Sequence, residues 1–153
     1  MKQVLFVCTA NICRSPMAEA TFNALAGDTG LPWRARSAGV FAAEGYPMAP
    51  EAREVLAESG IPVGEHRSRP LTQEMLREAD LVLAMTPRHV EEMRRLPGEL
   101  PDYVYVLPEY VGNGSAVADP YGLTISAYRA CAWHLFACIE PLVRRLGATS
   151  SSL

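Results

Sequence analysis

The sequence predicts an α/β fold of one domain, a parallel sheet with helices on both faces. Three observations carry this. Short apolar runs of strand length recur at residues 3–7, 33–40, 81–85 and 104–107. Stretches with helical start and stop signals lie between them. The chain has 153 residues, 49% hydrophobic and 20% charged, enough for one ordinary core without disulfides or metals as staples. Strands that alternate with helices pair in parallel, joined by crossovers.

Each element has its own warrant. Residues 3–7 form a continuous apolar run, the mark of a strand buried on both faces. A polar loop follows at 9–12. Residues 14–26 read as a helix, with Pro16 near its first turn and Met17, Ala20, Ala24 and Leu25 as its apolar stripe. The second strand is followed by a loop around Gly45 and Pro47. Residues 50–59 form a helix stopped by Gly60. Residues 72–79 form a short helix capped by Thr72. The third strand leads into a helix at 87–96. The fourth strand ends at Leu107, and a loop of Gly and small residues spans 112–118. Residues 126–146 form a long last helix that turns Ile125, Tyr128, Cys131, Leu135, Cys138 and Leu142 inward. The tail, 149–153, is expected to be disordered. No repeat, linker or second domain interrupts the domain 1–153.

The formal net charge of −3 offers no basic footprint for nucleic acid. No apolar run has the length of a membrane span. The opening MKQVLFVC lacks the cleavage site of a signal peptide, so a cytoplasmic location and reduced thiols at Cys8, Cys13, Cys131 and Cys138 are expected. His66, His89 and His134 show no ligand spacing with one another or with the cysteines, so no metal and no cofactor is expected. A monomer is the default.

Open sheets of this kind bind ligands at the carboxyl ends of their strands, which singles out the loop after strand one. It reads Cys8-Thr9-Ala10-Asn11-Ile12-Cys13-Arg14-Ser15. A loop that curls into a helix N-terminus aims backbone N–H groups at one point and forms an anion site for phosphate or another oxyanion. Arg14 adds a fork of donors suited to two phosphate oxygens. The positive surroundings favour the thiolate of Cys8, a nucleophile beneath the bound phosphate. Ser15 is placed to donate to the sulfur. A bare cysteine and arginine at this spacing would be weak, but a buried strand before and a helix after give it context. A proton must reach the departing group, and Asp119, in Asp119-Pro120-Tyr121, is the candidate general acid. Cys13 has two readings: a packing residue, or the partner of Cys8 in a protective disulfide.

With these residues in view, VLFVCTANICRSPMAEA and the late DPY resemble the low-molecular-weight protein tyrosine phosphatases over nearly the whole chain. The resemblance implies a four-stranded parallel sheet, a phosphorylated protein as substrate, no metal, and a phosphocysteine intermediate. It implies Cys8 as nucleophile, Arg14 as phosphate clamp, and Asp119 as acid and then base. Asn11, Ser15, Ser37 and His66 match the network that holds the loop rigid. The family usually has Gly at the position of Ala10, where positive φ or close backbone approach would favour it. Ala10, the smallest alternative, is expected to be tolerated.

Stretches 37–42 and 69–86, together with Gly122, are more similar to a bacterial branch of protein arginine phosphatases. That branch typically carries Thr where this chain has Ile12. Ile12 offers an apolar wall for a phenyl ring, with Tyr121 and Phe41 as further walls, and nothing for a guanidinium to bond. Phosphotyrosine is therefore the expected substrate, with phosphoarginine the alternative. Arsenate reductase would need further cysteines after the third strand, and residues 81–90 have none. A non-catalytic phosphate-binding module would lack the nucleophile or the acid, and both are present.

Overall fold

The computed structural model describes residues 1–151. Its sheet has four parallel strands in the order β2-β1-β3-β4: β1 (Lys2–Cys8), β2 (Trp33–Gly39), β3 (Leu81–Ala84) and β4 (Val104–Val106). The central strands are apolar because both faces are covered. Val4 to Val7 and Leu81 to Ala84 are all buried. From β1 the chain moves first to β2 on one side and later to β3 on the other. The switch in strand order therefore falls at the carboxyl end of β1, where the Cys8 loop begins.

The helices are α1 (Arg14–Thr29), α2 (Pro50–Glu58), α3 (Gln73–Glu78), α4 (Pro87–Arg94), α5 (Leu107–Val111) and α6 (Ile125–Ser151). On one face α1 and α6 bring Met17, Phe22, Tyr128, Leu135, Cys138 and Leu142 onto Val4, Phe6 and Leu83. On the other, Leu76 and Met93 pack on Leu5, Val7 and Val82. Thr72 caps α3 by accepting the Met75 N–H at 3.2 Å, as its position before the helix predicts. Among the described residues no helix is long and apolar enough to cross a membrane.

Three details differ from the sequence reading, and a fourth accords with the expected tolerance of Ala10. Leu107 opens α5 instead of closing β4, since Pro108 suits a first helical turn and Gly112 (φ 74°) ends it. The buried stripe of α1 is Met17, Ala18, Thr21, Phe22 and Ala26, while Ala20, Ala24 and Leu25 are half-buried. The helix is rotated because its first turn buries Arg14 and Ser15 in the anion loop. Helix α6 starts one residue earlier and runs through Ser151, so three of the five tail residues are helical; Ser152 and Leu153 lie outside the described residues. Ala10 takes no positive φ. The one described non-glycine residue that does is Asn11, at φ 59°.

Candidate active site

Cys8 ends β1, and its Sγ lies 2.9 Å from Ser15 Oγ at the start of α1. The donor in this contact follows from the surrounding bonds. Asn11 Oδ1 accepts the Arg69 N–H at 3.1 Å, which fixes the amide so that Nδ2 faces the other way. Nδ2 donates to Ser15 Oγ at 2.8 Å and to Ser37 Oγ at 2.9 Å. Ser37 in turn donates to Glu19 Oε1 at 2.9 Å. Ser15 Oγ thus accepts from Asn11, and its own hydrogen has the Cys8 sulfur as its nearest target; the alternative acceptor, the Ala38 carbonyl, lies at 3.5 Å. The arrangement points the Ser15 O–H at the Cys8 sulfur.

Asn11 pays for this position with a left-handed backbone, which Asn tolerates better than most residues. The conformation is over-determined. Both ends of the amide are engaged, and His66 Nε2 donates to the Asn11 carbonyl at 2.7 Å. Because a carbonyl only accepts, Nε2 carries a hydrogen. Burial holds the His66 pKa below its ordinary value, which favours the neutral ring with that hydrogen on Nε2. Asn11, Ser15, Ser37 and His66, singled out from sequence as a rigidifying network, are all buried and joined here.

Arg14 is buried. Its Nη1 donates to the Val117 carbonyl at 3.1 Å, its Nη2 to Thr9 Oγ1 at 3.4 Å, and Nη2 lies 3.6 Å from Asp119 Oδ2. Val117 is itself tied to the end of β3, its N–H donating to the Met85 carbonyl at 2.8 Å. This places the loop carrying Asp119 against the anion loop. Asp119 Oδ1 accepts the Tyr121 N–H at 3.1 Å, an Asx turn that leaves the carboxylate half exposed. Cys8, Arg14, Asp119, Ile12 and Tyr121, with Thr9, Ala10 and Cys13, enclose a well of about 240 Å³. Phe41 lies on the shoulder outside the well and lines the clefts on either side of it.

Cys13 is a free thiol 3.5 Å from the Tyr128 hydroxyl, and burial pushes its pKa up to about 11, so it is protonated at neutral pH. Cys131 and Cys138 are buried in the core between α6 and the sheet, with pKa values pushed up to about 12 and about 11 by burial. They serve packing.

Two functional neighbours escaped the sequence reading. His89, in the first turn of α4, is buried with Nε2 2.9 Å from Thr9 Oγ1 and Nδ1 3.0 Å from Thr86 Oγ1. Burial first, and then the Arg14 charge, pushes its pKa down to about 4. The neutral ring braces the hydroxyl that Arg14 contacts. Its signal was positional: a histidine in a helix start just past a strand's carboxyl end. Gly39 is the other. A Cβ there would press into the Thr9 carbonyl and the Asn11 amide, so only glycine lets β2 close on the anion loop.

The family model for low molecular weight phosphotyrosine protein phosphatase matches residues 3–151. A protein-arginine-phosphatase of Bacillus subtilis (strain 168) is 43% identical over 144 residues, covering 94% of this chain and 95% of that protein. A probable low molecular weight protein-tyrosine-phosphatase of Ralstonia nicotianae is 34% identical over 149 residues, covering 97% and 98%. The crystal structure of a low molecular weight protein tyrosine phosphatase from T. tengcongensis superposes with a TM-score of 0.89 at 45% identity, covering 95% of this chain and 99% of the other. With a cysteine and a buried arginine around one anion well and a carboxylate over it, this chain belongs to the low molecular weight phosphotyrosine protein phosphatase family and is a cysteine-dependent phosphatase, a hydrolase of phosphoric monoesters.

Proposed function

We propose that the chain hydrolyses phosphotyrosine in proteins. The observation that carries this is Ile12, a half-buried aliphatic side chain in the wall of the well beside Tyr121. A phenyl ring gains from such walls, whereas Ile12 and the ring of Tyr121 offer a guanidinium no hydrogen bond in place of those it gives up to water. The phosphoryl group binds on the loop amides and the Arg14 fork. The Cys8 thiolate attacks phosphorus, and the bond to the phenolic oxygen breaks as Asp119 gives that oxygen its proton. Asp119, now a carboxylate, takes a proton from the water that attacks phosphocysteine. The S–P bond breaks, phosphate leaves, and the Ser15 hydroxyl stabilises the departing thiolate of Cys8.

The second reading, phosphoarginine, is favoured by the 43% identity to the Bacillus protein-arginine-phosphatase. Measuring kcat/KM on matched phosphotyrosine and phosphoarginine peptides separates the two. Wild type is expected to prefer phosphotyrosine. Ile12→Thr is expected to lower that preference by about tenfold or more, as a change of pocket polarity should. A wild-type preference for phosphoarginine would overturn the assignment.

A further inference from the structure

The well opens sideways, past Ala10, Ile12 and Tyr121, into a larger groove of about 740 Å³. Seven large apolar side chains are exposed among the described residues, and four of them, Phe41, Tyr46, Tyr121 and Leu123, line this groove. Clustering of that kind on an otherwise ordinary surface marks a recognition site. The side chains stand on fixed backbone. Tyr46 donates its N–H to Ser68 Oγ at 2.9 Å, and its carbonyl accepts the Ser68 N–H at 2.7 Å. Leu123 closes a turn through its N–H to the Pro120 carbonyl at 3.0 Å. The groove floor is tied to the anion loop, since the Ala49 N–H donates to the Ile12 carbonyl at 2.9 Å. Pre-placed aromatic surface of this sort binds at low cost in entropy.

One charged residue lines the groove: Glu51, in the first turn of α2. It makes no ion pair among the described residues, whereas a carboxylate nearby, Glu58, is held by Arg129 at 2.8 Å. Its place in a helix's first turn suits the helix dipole, which accounts for stability and says nothing of what lies across the groove.

We propose that this groove is the subsite for the substrate polypeptide next to its phosphorylated residue, taking an apolar side chain against Tyr46 and Leu123 and a Lys or Arg facing Glu51. The occupant follows from continuity: a protein substrate with its phosphoryl group in the well must lay its flanking chain on the surface that adjoins it. The inference rests on the reading of the well as a protein phosphatase site.

The test uses one host peptide, carried with phosphotyrosine and again with phosphoarginine, and with three flanks: apolar plus Arg, apolar plus Glu, and Gly-Ser throughout. p-Nitrophenyl phosphate, which fills the well alone, is the control. For wild type, kcat/KM is expected to fall about tenfold from the Arg to the Glu flank, as attraction becomes repulsion at a partly exposed site. The Gly-Ser flank is expected to fall further. Glu51→Lys is expected to reverse the Arg and Glu order, and Leu123→Ser to erase the advantage of the apolar flank, with p-nitrophenyl phosphate within about twofold of wild type in both. Flank effects that are absent, or a charge preference that survives in Glu51→Lys, would overturn the subsite. Turnover of the phosphoarginine host alone would overturn the phosphotyrosine reading, and the flanks would still be read in that host.

Discussion

Asn11 shows how much one residue carries in this site. Its amide selects the direction of every hydrogen bond between Arg69 and the Cys8 sulfur, and its backbone is left-handed, at φ 59°. Asp119 works differently. It is half exposed, held by a turn bond to Tyr121 and a 3.6 Å ion pair with Arg14, which keep it at the rim of the well facing a leaving oxygen. Its replacement should therefore matter in proportion to the leaving group's need for a proton. Asp119→Ala is expected to lower kcat/KM on phosphotyrosine about 100-fold, and far less on p-nitrophenyl phosphate, whose phenolate leaves unaided. A plot of log kcat/KM against leaving-group pKa checks this. An equal slope in wild type and variant would deny Asp119 the general-acid role.

At the scale of elements, the anion loop is shaped as much by β2 as by α1. The carboxyl end of β2 lies against it through Gly39, whose carbonyl accepts the Leu71 N–H at 2.9 Å while the chain continues to Val40, bonded to the Cys8 carbonyl at 2.9 Å. The added methyl of Gly39→Ala has backbone on the facing side and nowhere to relax. The variant is expected to lose about 1–3 kcal/mol of stability. Its kcat on p-nitrophenyl phosphate should fall too, as the loop shifts from its productive geometry. Chemical denaturation and steady-state kinetics read the two effects. Unchanged activity together with unchanged stability would mean that the approach of β2 does not set the loop. The same packing explains the rotated stripe of α1: Arg14 and Ser15 serve the site, while Met17 and the later turns serve the core.

For the whole molecule, the buried neutral histidines His66 and His89 make stability depend on pH, and His89 is the more strongly shifted. His89 has a folded-state pKa near 4, below its ordinary 6.5. The unfolded chain takes up a proton near pH 6.5 that the folded chain refuses until about pH 4. The stability from keeping His89 neutral is thus present above pH 6.5 and is lost as pH falls toward 4, with a ceiling of about 3 kcal/mol. Urea unfolding at about pH 7 and about pH 5 should show a smaller loss for His89→Gln than for wild type. Equal losses would place the acid sensitivity elsewhere. The variant also removes the brace on Thr9, so its activity should fall at both pH values.

How much of this was legible beforehand depends on the range of the interaction. The apolar runs at β1 and β3, the capping Thr72, the stop at Gly60 and the order of cysteine, arginine and serine are local patterns. They fixed the strand count, the parallel sheet and the loop that holds the chemistry, because burial and capping act over a few residues. Asp119-Pro120-Tyr121 was legible as a turn bearing a candidate acid, whereas Ser37 and His66 were singled out only through resemblance to a family; in the structure both bond to Asn11. Helix α5 was missed because three strand residues and a proline-led turn share one apolar run. His89 and Gly39 were missed for a different reason. Each matters only through contacts some 30 to 80 positions away in sequence, with Thr9 and Asn11. The sequence by itself determined the fold class and pointed to the candidate reacting groups. The tertiary structure alone decided which residue bears the strained backbone, which bonds fix the Ser15 hydroxyl toward the sulfur, and how the well opens onto a groove, since these depend on segments distant in sequence that meet at the carboxyl ends of the strands.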